Sequence, residues 1–121
     1  MKLLIDQEES IGDIMIFLKI FKLFKSFLIL ISDHKEMGIG NVTLASPPVI
    51  EGIKSTATSY KLFGIEDDLL SKIIGERSSY ILNAPVLLMI FIKSKEKMQH
   101  KIKILINFLN KSLEAVAKTD I

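Results

Sequence analysis

The chain has 121 residues, 49% hydrophobic and 25% charged, and a formal net charge of +2. This is the balance of one globular domain, which at this size buries about two thirds of its unfolded surface. The absence of cysteine excludes a disulfide scaffold, a thiol nucleophile and a cysteine-held zinc. Arg77 is the single arginine, and base reading and phosphate clamping favour the flat arginine fork, so the composition argues against specific nucleic-acid recognition.

Met1 to Asp6 (MKLLID) reads as a short first strand, followed by a polar turn from Gln7 to Asp13 that contains Gly12. Ile14 to Ile31 is apolar enough for three readings: two strands of a hairpin, an amphipathic surface helix, or a membrane span. Lys19, Lys22 and Lys25 lie inside it, each costing about 2.5–3.5 kcal/mol at a bilayer centre against about 0.3–0.6 kcal/mol returned per apolar residue, so insertion is not favoured. Asp6, Glu8, Glu9 and Asp13 precede the run, where a secretory signal carries positive charge. The β-branched and aromatic mixture of Ile14, Ile16, Phe17, Ile20 and Phe21 favours strands. The hairpin is therefore placed over Ile14 to Phe24 and Phe27 to Ile31, turning at Lys25-Ser26.

Asp33 to Gly40 is a polar, glycine-bearing turn, and Asn41 to Ala45 alternates as a fourth strand, completing an antiparallel meander. Ser46 to Ser55 holds Pro47, Pro48 and Gly52 and reads as a loop or extended edge. Thr56 to Phe63 resumes strand character. Glu66, Asp67 and Asp68 open a first helix, where the dipole favours negative charge. Leu69, Leu70, Ile73, Ile74, Arg77 and Ile81 give it one buried stripe, and Asn83-Ala84-Pro85 ends it. Val86 to Ile92 is continuously apolar and belongs at the centre of a sheet. Ser94 is placed as the cap of a last helix whose stripe is Met98, Ile102, Leu105, Ile106, Leu109, Leu113 and Val116. The expected fold class is α+β over residues 1–121 as a single domain: a largely antiparallel sheet of about six strands with two helices.

Catalytic chemistry finds little support. His34 and His100 have no partner at ligand spacing, so no metal site is expected. No serine sits in a nucleophile elbow, and Gly38-Ile39-Gly40 precedes a strand where a phosphate cradle precedes a helix. The lysines Lys93, Lys95, Lys97, Lys101 and Lys103 read as a solvated face, or as a patch that steers an acidic protein. The surplus of apolar residues is more informative. Strands apolar on both faces outnumber what one layer of two helices can cover, and monomers rarely expose large apolar patches. Met15, Phe17, Phe21 and Leu23 are the expected partner-facing residues, with Ser46–Ser55 as an adaptable contact.

The segment order carries a resemblance. Phe27-Leu28-Ile29-Leu30-Ile31 runs through a polar turn to Met37-Gly38, and Thr58-Ser59-Tyr60-Lys61-Leu62-Phe63-Gly64 precedes an acidic helix start and Leu69-Leu70. Val86-Leu87-Leu88, Lys93-Ser94-Lys95 and Met98 follow. Together they resemble the proteasome assembly chaperone 3 family over about residues 27 to 110. The resemblance implies a non-catalytic cytoplasmic or nuclear protein with no cofactor. Such a protein pairs through its sheet with a sister chaperone, proteasome assembly chaperone 4. The heterodimer holds alpha-type subunits of the 20S proteasome while the alpha ring forms, and whether the chain forms a homodimer in isolation is left open by the sequence. The rival readings are a peripheral membrane or adaptor protein using residues 14–31, and a small enzyme with a spatially assembled site.

Overall fold

The structure is a computed structural model that describes residues 1–47, 56–61, 68–92 and 102–119. Its strands are β1 (Lys2–Ile11), β2 (Ile14–Leu23), β3 (Ser26–Ser32), β4 (Asn41–Ser46), β5 (Thr56–Lys61) and β6 (Val86–Phe91). Its helices are α1 (Asp68–Leu82) and α2 (Ile102–Thr119). The six strands form one sheet in the order β1-β2-β3-β6-β4-β5. Only β3 and β6 run parallel, and every other neighbouring pair is antiparallel. The class is α+β, as the sequence predicts.

Residues 14–31 are the β2–β3 hairpin, so the helical and membrane-spanning readings of that stretch fall away. Among the described residues no helix is long and apolar enough to cross a membrane. The two hairpin turns are tight. Gly12, with φ 62, and Asp13 link β1 to β2, the φ signs of a type II′ connection whose twist suits a two-residue hairpin. Phe24 and Lys25 link β2 to β3, with Lys25 held at φ 51.

Two expectations about the strands are corrected. β1 does not stop at Asp6: it continues through Gln7, Glu8, Glu9 and Ser10 to Ile11, paired with β2 to the end. A polar edge strand keeps its ladder because backbone pairing to one neighbour suffices while the side chains face water. The meander covers only β1, β2 and β3, because β6 inserts between β3 and β4. A continuously apolar strand gains most from being paired on both sides, and β6 occupies that place.

α1 lies over β4, β5 and β6, while α2 packs beside α1 and reaches β1. Both helices bury against the same face of the sheet. Ile16, Leu18 and Ile20 of β2, Ile29 and Ile31 of β3, and Val86, Leu88 and Ile90 of β6 are at most 1% exposed. They form one core with Leu70 and Ile74 of α1 and Leu105, Leu109, Leu113 and Val116 of α2. Each such side chain contributes about 1.5–3 kcal/mol on leaving water.

The α2 stripe follows the predicted spacing, with Phe108 and Ser112 added to its buried set and Ile102 and Ile106 half-buried. The α1 stripe differs. Ile73 is 43% exposed and Arg77 faces solvent, while Ser71, Gly75, Ser78 and Ser79 are buried beside Leu70 and Ile74. Small residues bring this helix close to β4: Asn41 donates from Nδ2 to the Ser71 Oγ at 3.1 Å. The Ser78 hydroxyl is satisfied by the Ile74 carbonyl at 2.7 Å. The helix ends as predicted. Asn83 takes the left-handed φ of 49, with Asn83 N–H donating to the Tyr80 carbonyl and Ala84 N–H to the Ser79 carbonyl, both at 3.3 Å. That pair of bonds is a Schellman cap.

Candidate interaction surface on the open sheet face

Side chains alternate across a strand, so a sheet with helices on one face turns every second residue the other way. On β2 the even positions enter the core, and Met15, Phe17, Lys19, Phe21 and Leu23 point to the uncovered face. Met15 is 40% exposed and the other four are half-buried. All four residues singled out from the sequence therefore share one face. The same parity adds Leu28 and Leu30 from β3, Leu87, Met89 and Phe91 from β6, and Val42 and Leu44 from β4.

Register aligns these residues into rows. Leu3, Phe21, Leu28, Leu87 and Leu44 stand directly opposite one another on β1, β2, β3, β6 and β4. With strands about 4.8 Å apart, the row crosses about 19 Å of sheet without a polar side chain. Lys19, Leu30, Met89 and Val42 form the next row. Leu3 and Leu44, at the two ends of the first row, are 46% and 56% exposed.

The rim is polar. Asp6, Glu8 and Ser10 of β1 lie opposite Lys19, Phe17 and Met15 and are exposed. At the far end of β3 the chain covers its own sheet. Ser32 is fully buried on this side, its Oγ accepting from the His34 N–H at 2.9 Å. Gly38 lies against the Phe91 ring, and a Cβ there would come within 2.8 Å of it. The glycine of the predicted turn is thus explained by close approach to an aromatic ring.

The other candidates gather no chemistry. Among the described residues no group of three or more histidine, aspartate or glutamate side chains could hold a metal. The His34 Nδ1 accepts from the Glu36 N–H at 3.2 Å, a local turn contact. Between β1 and α2 a groove is lined by Gln7, Glu8, Glu9, Phe108, Lys111, Ser112 and Ala115. The Ser112 hydroxyl reaches the Gln7 Oε1 there at 3.3 Å. His100, Glu66, Asp67, Ser94, Met98, the lysines at 93, 95, 97 and 101, and residues 48–55 of the predicted contact loop lie outside the described residues.

Sequence reasoning missed the contributions of Leu28, Leu30, Leu87, Met89, Val42 and Leu44. The signal was present as unbroken apolar runs in β3 and β6 and as alternation in β4, but which half of each faces outward depends on register between strands distant in sequence.

No protein-family model matches the chain, and no curated protein matches it. Among solved structures, a chain from the crystal structure of a novel chaperone complex for yeast 20S proteasome assembly is similar over 98% of this chain and 98% of its own length. The TM-score is 0.57 at 12% sequence identity, so the two share a fold from end to end.

Proposed function

We propose that the chain is a single-domain, non-catalytic assembly chaperone of the proteasome assembly chaperone 3 kind. Its open sheet face pairs with a sister chain of the same fold, and the pair supports alpha-ring assembly of the 20S proteasome in the cytoplasm and nucleus. The observation that carries this reading is the row Leu3, Phe21, Leu28, Leu87 and Leu44, left uncovered by both helices. A patch of this breadth is characteristic of a surface that another protein covers. A second sheet is the natural cover, since two sheets stack about 10 Å apart with side chains interdigitating. The fold shared with a chain of a proteasome-assembly chaperone complex supports the cellular role, as do the segments between residues 27 and 110. Met15, Phe17, Phe21 and Leu23 are the contacts from β2.

Affinity purification of the tagged chain from its native cells tests the reading. Alpha-type proteasome subunits together with a small α+β sister are expected. Recovery of neither under conditions that preserve assembly intermediates overturns it.

A further inference from the structure

The outer surface of the helix layer carries a second feature, on the side of the molecule opposite the open sheet face. Ile73, Arg77 and Tyr80 follow one another at steps of four and three on α1 and so share one ridge. All three are exposed, Ile73 by 43% and Tyr80 by 72%. Neither large side chain contributes to the core. Between them stands the only arginine of the chain.

That arginine is held in place. Its Nε–H donates to the Asn110 Oδ1 of α2 at 2.7 Å. Fixing Nε orients the plane of the guanidinium and leaves its two terminal amino groups for an acceptor. A preoriented fork loses less entropy on binding than a free lysine and matches a carboxylate with two parallel hydrogen bonds. The surrounding field has the same sense. Among the described side chains of α1 and α2, Lys72, Arg77, Lys103, Lys111 and Lys118 are exposed against only Glu76 and Glu114. Tyrosine and arginine are also residue types in which binding energy concentrates at protein interfaces.

We infer that the Ile73–Arg77–Tyr80 ridge is a docking surface for an acidic amphipathic segment of a protein partner, in which a carboxylate lies between apolar side chains one helical turn to either side. The carboxylate meets the Arg77 fork, and the flanking apolar groups cover Ile73 and Tyr80. A phosphate backbone fits less well, because a single arginine between two apolar side chains, with Glu76 on the same helix, offers no basic track. This surface is separate from the open sheet face and stands whether or not that face pairs with a sister. A chain with both surfaces can hold two proteins at once.

The test uses the full chain and a fluorescent helical peptide carrying one glutamate between leucines spaced four residues before and after it, read by anisotropy. Binding to the wild-type chain is expected, weakened at least tenfold by Arg77→Met and by Tyr80→Ala, and weakened similarly when the peptide's glutamate becomes glutamine. Arg77→Lys is expected to recover only part of the loss, whereas Lys2→Met, which removes the same charge from the β1 edge, leaves binding intact. Circular dichroism confirms that these exposed substitutions preserve the fold. Absence of peptide binding to the wild type overturns the proposal. So does equal binding to Arg77→Met, or Arg77-dependent binding of phosphatidylserine vesicles or single-stranded RNA that matches or exceeds that of the peptide.

Discussion

Gly75 of α1 faces Thr43 of β4 so closely that a Cβ on Gly75 would lie 2.9 Å from the Thr43 Cγ2 and 3.4 Å from the Ala45 Cβ. Two opposed terms decide a Gly75→Ala substitution. Alanine gains about 1 kcal/mol of helix propensity. Forcing a methyl group against a stiff, β-branched side chain that is itself fully buried costs about 1–3 kcal/mol. The variant should lose about 1 kcal/mol of stability, read from the urea midpoint. In a Thr43→Ser background the opposing methyl is gone, and the same alanine should become neutral or stabilising. Independence of the two sites in that cycle is the result that contradicts the contact.

Lys25 pays for its left-handed φ of 51 with the usual steric penalty for a side chain in that region. Part is offset by its ammonium, which sits 5.3 Å from the Phe24 ring centroid. Lys25→Gly should raise stability by about 0.5–1 kcal/mol in chemical denaturation. Asn83→Ala, at the left-handed cap of α1, should lower it by about 1 kcal/mol.

Leu28 and Ile29 are neighbours in sequence on opposite faces of β3, half-buried and fully buried respectively. Ile29→Asp places a carboxylate in the core and should unfold the chain. Leu28→Asp should leave the circular dichroism spectrum and urea midpoint almost unchanged while weakening association with a sister chain at least a hundredfold, measured by analytical ultracentrifugation. Unfolding by both substitutions would assign the open face to the core instead.

Lys19 is the one charged side chain that β2, β3, β6 and β4 direct toward the open face, half-buried between Phe17 and Phe21. A lone charge on an apolar face costs little in water and much when a like surface stacks upon it, so it selects among partners. Lys19→Met should therefore strengthen self-association of the isolated chain about tenfold or more, visible as a lower dissociation constant in sedimentation equilibrium. No change in self-association would show that the ammonium remains solvated at the margin of any such contact.

The strand content and the central place of β6 were legible because Val86–Phe91 is apolar without interruption and flanked by helix signals. The face of β2 was not fixed locally, because both parities are greasy and each carries a lysine, Lys19 at the parity of Met15, Phe17, Phe21 and Leu23 and Lys22 at the other, so only the pairing of the strand under the helices separates them. Nor was the remainder of the open face, because Leu87 and Leu44 join Leu28 through pairings that span the whole chain. The α1 stripe misled for a different reason. Hydrophobic periodicity assigns Ile73 inward, whereas Ser71, Gly75 and Ser78 win that face because small side chains let the helix settle onto β4. The extension of β1 through Gln7–Ser10 escaped notice because an edge ladder is a property of the backbone and leaves no apolar pattern.

β6 is late in sequence yet central in the sheet. β3 and β4 never touch each other in the sheet; each pairs with β6. A chain released only through its first eighty residues lacks the one strand that joins β1–β2–β3 to β4–β5. Six residues, Val86–Phe91, supply both seams. Without β6, the edges of β3 and β4 that it covers are unpaired borders, the kind of edge on which strands mispair.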